Sequence, residues 1–168
     1  VGTLNAEQHQ AHKNAIRNFV LGGAELTGAA RTRFAEIQEQ QAALGQKFSE
    51  NTLDATDSFS YYATEAEMQG VPNDVKQATR AAALAEDKEG YKLSLKMPCY
   101  LPVMQFADSS ALRATLYRAY VTRASEQADG ATTTFDNTQT IRDILALRKE
   151  EAQLLGYPNY GSLSLVTK

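Results

Sequence analysis

Apolar side chains recur along this chain mostly at steps of three and four residues, the period that lines them up on one face of a helix. Ala15, Ile16, Phe19 and Val20 form the first such set. Asn5 suits its N-cap, since a short polar side chain accepts from an orphan helix amide. Gly22-Gly23 ends it, and Thr27 suits the cap of the next helix. There Phe34, Ile37, Gln41, Leu44 and Phe48 form a stripe that continues through Ala55 and Phe59, with Gln41 as its polar exception. A helix from near 28 to near 58 follows, about 45 Å long at the α-helical rise. Gly45 lies inside it at a cost of about 1 kcal/mol relative to Ala.

Downstream the period changes. Ser60-Tyr61-Tyr62-Ala63 is short and strand-like, and Tyr91-Lys92-Leu93-Ser94-Leu95-Lys96 alternates apolar with polar, which predicts a strand that Pro98 ends. Between them, Thr64 and Glu67 have capping-box spacing and predict a short helix stopping at Gly70, before Pro72. Asn73 is expected to cap an alanine-rich helix to about Ala85, followed by a solvated turn over Glu86–Gly90. Pro102 suits the first turn of a short helix with Val103, Met104 and Phe106. Asp108 or Ser109 then caps a helix with Leu112, Leu116, Tyr120 and Ala124 on one face. Glu126–Asp136, with Asp129-Gly130 and three threonines, reads as a loop. Asn137 or Thr138 caps a last long helix carrying Ile141, Ile144, Leu145, Leu147, Ala152 and Leu155, which Gly156 and Pro158 stop. Ser164–Lys168 is expected to carry no closing element. The fold class is mainly α: an antiparallel, bundle-like helical subdomain over 1–168, with one long helix and at most a short β element.

Composition removes several partner classes. The chain is 43% hydrophobic and 22% charged, ordinary for a globular domain. Its 17 basic and 20 acidic residues give a net charge of −3, which would not concentrate a nucleic acid. No basic run flanks an apolar face, so an anionic membrane surface is not expected either. Cys99 is the only cysteine, so no intrachain disulfide forms, which suits a reducing cytoplasm. The first residue is not Met, and both ends read as cuts through a longer polypeptide.

Candidate chemistry is thin. His9 and His12 share a helix face at i and i+3, but hydrolytic zinc sites of the H-E-x-x-H type place histidines at i and i+4 with Glu beside the first. Here Gln10 follows His9, so a solvated helix face is the expectation. Cys99 lacks a nearby histidine base and reads as a small core residue. Asp54 and Asp57 could divide acid and base roles, yet surface charge or helix-end capping explains them more simply. Glu65/Glu67 and Glu150/Glu151 are weaker pairs of the same kind. Tyr61-Tyr62, Tyr117/Tyr120 and Tyr157/Tyr160 offer flat apolar bodies with polar tips, suited to peptide recognition or to half-buried packing at helix ends. Gly22-Gly23 lacks the spacing and the following Lys of a phosphate loop.

Four stretches nonetheless carry a resemblance. They are Phe48–Thr56 (F-x-x-N-x-L-D-A-T) with Glu65–Pro72; Tyr91–Gln105; Leu112-Arg113 with Tyr117–Ser125; and Ile144–Arg148 with Ala152–Tyr157 and Ser164-Leu165. In order and in kind they resemble family M3 of zinc metallopeptidases, the thimet oligopeptidase family, in its N-terminal helical region. The resemblance implies a cytoplasmic parent enzyme with a deep channel for short peptides. It also implies a zinc-bound water that attacks the scissile carbonyl, held by an H-E-x-x-H helix far C-terminal to the matched region. That motif does not occur here, so no catalytic, cofactor-binding or metal-binding residue carries over. This chain is expected to be inactive alone. Its implied role is non-catalytic channel wall, with the C-terminal catalytic part of the same polypeptide and short peptides as partners. A free-standing helical interaction module using a tyrosine-rich or apolar face is the alternative.

Overall fold

A computed structural model describes residues 4–128 and 134–168. Among them are seven helices and one two-stranded sheet, so the chain is mainly α. The helices are α1 (Ala6–Leu21), α2 (Gly28–Ser58), α3 (Asn73–Leu84), α4 (Met97–Phe106), α5 (Ser110–Thr122), α6 (Thr138–Leu154) and α7 (Tyr160–Leu165). The strands are β1 (Tyr61–Ala63) and β2 (Tyr91–Leu93). The chain is described as two compact units. One comprises Val1–Gln46 with Ile141–Lys168, the other Lys47–Thr140. The divisions fall inside α2 and α6.

In the first unit, Asn5 accepts from the Gln8 amide at 2.8 Å while the Gln8 side chain accepts from the Asn5 amide at 2.9 Å, completing a capping box at α1. α1 buries no residue, and Ile16 and Phe19 of its apolar set are exposed. On α2, Phe34 and Ile37 are buried, as are Leu147 and Ala152 on α6 and Leu163 on α7. Gly156 closes α6: its amide donates to Gln153 O at 3.0 Å and Tyr157's to Ala152 O at 2.8 Å. That pattern requires the left-handed conformation, and Gly156 sits at φ 83. A short helix, α7, follows, which the sequence reading does not name. Asn159 starts it, accepting from the Ser162 amide at 2.8 Å.

In the second unit, β1 and β2 pair antiparallel with Tyr61 opposite Leu93, Tyr62 opposite Lys92 and Ala63 opposite Tyr91. One apolar cluster joins Ala63, Leu93 and Leu95 to Met68, Val103, Leu112 and Leu116. The strand expected to run to Lys96 stops at Leu93, because the Lys96 carbonyl already receives the amides of Cys99 (2.9 Å) and Tyr100 (2.8 Å) and opens α4. Pro98 therefore occupies the first turn of α4, and Pro102, expected there, lies inside the helix.

Three further expectations change. Thr64 and Glu67 do exchange bonds (2.8 Å and 3.3 Å), yet residues 65–70 form turns rather than a helix. The chain there must pass the Phe106 carbonyl, and Gly70, at φ 83, makes room where any Cβ would overlap it. Asn73 does not cap α3. It is the first helical residue, Pro72 precedes it, and no side chain caps that end. Asn137 does not cap α6 either, because it is buried. Its Nδ2 donates to Phe48 O at 3.0 Å, and its Oδ1 accepts from Asn51 Nδ2 at 2.9 Å. Asp136 accepts from the Thr138 amide at 2.8 Å instead. Ser109 caps α5 as expected, accepting from Leu112 at 3.2 Å. The loop expected at Glu126–Asp136 lies partly outside the described residues, as do Asp129 and Gly130.

Candidate functional site

The groups singled out as candidate chemistry are mostly engaged in structure. His9 and His12 are both exposed on α1. Among the described residues, no group of three or more His, Cys, Asp or Glu side chains is placed to hold a metal. A zinc of the kind the resemblance implies needs three protein ligands around an open position, and these donors do not fit it. Cys99 is half-buried, and its sulfur accepts from the Ser94 amide at 3.4 Å, a packing role. Asp54 is exposed, and Asp57 pairs with Lys96 at 3.1 Å. Glu150 holds the Arg33 guanidinium through two oxygens, at 2.6 Å and 2.8 Å, and Glu151 accepts from Gln38 and Gln41, both at 2.8 Å. The Arg33 bonds keep the Glu150 carboxyl below its ordinary range.

The tyrosines divide by environment. Tyr61 donates to Glu67 at 2.7 Å and Tyr62 to Glu86 at 2.5 Å. Both hydroxyls are pushed up, chiefly by those carboxylate acceptors. Tyr120 stacks on Tyr100 with ring centres 4.3 Å apart, and the Arg123 guanidinium lies 3.7 Å from the Tyr120 ring centre, an aromatic–aromatic–cation ladder. Beside it Tyr117 and Val121 of α5 are exposed, as are Met97 and Leu101 of α4. Tyr160 lies under Arg148, at 4.8 Å.

The densest polar constellation is one the sequence did not single out. Tyr91 on β2 is buried, and its hydroxyl donates to Glu65. That acceptor raises the hydroxyl's pKa. From α3, Lys76 and Arg80 reach the same carboxylate at 3.9 Å and 4.0 Å, and Arg80 also lies over the Tyr91 ring at 5.8 Å. Lys76 and Arg80 are one helical turn apart, so they share a face. That spacing, set against a tyrosine on a predicted strand, was the available signal. A cavity of about 510 Å³ opens on one side, between Arg80, Leu84, Glu89 and Tyr62. A second, of about 290 Å³, is lined by Asn73, Lys76 and Gln77, and both share Glu65, Arg80 and Tyr91.

Comparison with known proteins places this sequence. Residues Val103–Lys168 match the family model described as Peptidase family M3. Over 167 residues the chain is 46% identical to oligopeptidase A of Escherichia coli, a match that covers 99% of the chain and 24% of the relative. It is 40% identical to a probable cytosolic oligopeptidase A of Arabidopsis thaliana, again over 99% of the chain and 24% of the relative. Saccharolysin of Saccharomyces cerevisiae is 26% identical over 99% of the chain and 22% of its own length. The chain thus spans about a quarter of the length of the curated relatives it matches, their N-terminal part in the bacterial case. By this sequence relation the chain belongs to peptidase family M3.

Proposed function

We propose that this chain serves a cytoplasmic oligopeptidase as a non-catalytic helical wall of the channel through which short peptides reach a zinc centre carried elsewhere in the polypeptide. The supporting observation is the identity of 46% to oligopeptidase A, continuous over almost the whole chain. The donor set argues the same way, since no described cluster of side chains fits a hydrolytic zinc. Among the described residues no helix is long and apolar enough to cross a membrane. The exposed Met97, Leu101, Tyr117 and Val121 of α4 and α5 suit a segment that docks against further structure, since a few large apolar side chains close together mark an interaction surface.

A graft tests this reading. The matching quarter of Escherichia coli oligopeptidase A is replaced by this chain, and cleavage of a short fluorogenic peptide is followed with and without chelator. The wall role predicts a folded hybrid with chelator-sensitive cleavage of the peptide and none of a folded protein. A hybrid that melts cooperatively yet cleaves nothing would count against it.

A further inference from the structure

We propose that the outer face of α4 and α5 binds an acidic amphipathic helix, one carboxylate of which seats between the Tyr100 hydroxyl and the Arg123 guanidinium. It rests on the channel-wall reading only for the docking role of this face. Tyr100 and Tyr120 stack across the two helices, with 4.3 Å between ring centres. On α4, Met97 and Leu101 lie three residues before and one after Tyr100. On α5, Tyr117 and Val121 lie three before and one after Tyr120. Both pairs step by four, so each forms a short apolar ridge about 6 Å long beside its tyrosine. All four side chains are about half exposed. Two ridges flanking a stacked aromatic pair make a seat for the apolar stripe of a third helix.

Charge on this face selects the sign of the partner. The stretch Met97–Arg123 carries Arg113, Arg118 and Arg123 against Asp108 alone, within a chain of net charge −3. Beside the start of α4, Asp57 already pairs with Lys96 at 3.1 Å. Arg113 is held by the Ala107 carbonyl. Arg123 donates to the Tyr120 carbonyl through Nη1 and covers the Tyr120 ring. Among the described residues it has no carboxylate partner, and its buried Nε has no acceptor. A buried donor left unbonded is costly, so its missing acceptor marks a place for one. Tyr100 is only 8% exposed, yet its hydroxyl makes no hydrogen bond among the described residues. Burial, and then the neighbouring Tyr120 and Tyr117, push that hydroxyl's pKa up, so it stays protonated as a donor. Arg123 is near enough to act on it electrostatically. A carboxylate brings two acceptor oxygens, one for each of these donors. Tyrosine and arginine ringed by apolar side chains are also the residues that dominate binding energy at interfaces.

The test titrates the purified chain with a designed helix of about 18 residues, long enough to hold its shape in water, with leucine along one side and glutamate beside it. Amide NMR shifts report where it binds, and versions with glutamine or lysine in place of glutamate report what holds it. The glutamate helix is expected to shift Leu101, Tyr117, Val121 and Arg123. The glutamine version should bind roughly tenfold more weakly, the loss of a charge-assisted contact, and the lysine version more weakly again. Tyr100→Phe should bring the glutamate helix towards the affinity of the glutamine version. It should leave the urea midpoint unchanged, since the hydroxyl bonds to nothing described in the chain. Equal binding of the three helices, shifts confined to residues away from α4 and α5, no shifts at about 1 mM helix, or self-association of the chain through this face would each overturn the proposal. The wild-type titrations decide it even if the variant fails to fold. A graft that cleaves nothing while the glutamate helix still binds would remove the channel wall and leave this site standing, and the reverse outcome would remove this site alone.

Discussion

In the unit of Lys47–Thr140, side chains from β1, β2, α4 and α5 join in one apolar cluster, with Leu93, Val103, Leu112 and Leu116 all but removed from solvent. The unit of Val1–Gln46 and Ile141–Lys168 buries far fewer large side chains. It ties α2 to α6 with the Arg33–Glu150 fork and the Gln38 and Gln41 amides on Glu151. Apolar burial is non-directional and is not electrostatically screened, whereas partly exposed ion pairs are screened by salt and contribute little each. The two units should therefore answer differently to truncation, salt and acid.

The largest contrast is expected from truncation. Leu93→Ala empties a fully buried position and should cost about 2–5 kcal/mol in urea unfolding. Phe19→Ala on α1, where the ring is 72% exposed, should change stability by no more than about 0.5 kcal/mol. Similar losses at the two sites would break the contrast. Asn137→Ala should follow, at about 1–3 kcal/mol, because it strips the Phe48 carbonyl of a buried donor and Asn51 of its acceptor. A loss as small as that of Phe19→Ala would mean that water replaces both bonds.

Much of this contrast was legible in the order of residues, and part of it was not. The span of α2, the capping of α1 and α5, and the glycine stop after α6 all follow from local rules, so a periodic stripe and a cap were enough to read them. The pairing of Arg33 with Glu150 joins residues far apart in sequence, and no local pattern announces it. Thr64–Gly70 misled because its capping box is real while the turn after it is shaped by the passing Phe106 carbonyl. The start of α4 is read one turn late from sequence because Pro98, which ends the alternation after Lys96, also occupies the first turn of the helix. The Tyr91–Glu65 constellation needed the strand, the turn and α3 to be brought together, so it became visible only in three dimensions.

Smaller effects sharpen the comparison. Glu150→Gln should lower the melting midpoint at low ionic strength, and the difference should shrink near 1 M salt, where screening acts within about 3 Å. A deficit that persists in high salt would show that the fork acts through packing rather than charge. In the other unit, the Thr64 amide and then the Tyr61 hydroxyl hold the Glu67 carboxyl below its usual 4.5. Its contribution is therefore complete above that pH and is lost as pH falls through the depressed folded value. Glu67→Gln should lower stability in the neutral region and flatten the acid limb, so that the variant and wild type converge as pH falls well below about 4.5. A variant with the wild-type acid limb would remove Glu67 from the account.

The claim that these residues form scaffold rather than a reaction centre is tested most directly by dialysing the purified chain against zinc. Bound metal is then counted, and hydrolysis of a short fluorogenic peptide is assayed with and without chelator. The account predicts substoichiometric zinc and no chelator-sensitive hydrolysis, because the described side chains bring no three ligands together. One tightly held zinc per chain, with cleavage that stops when it is removed, would contradict it.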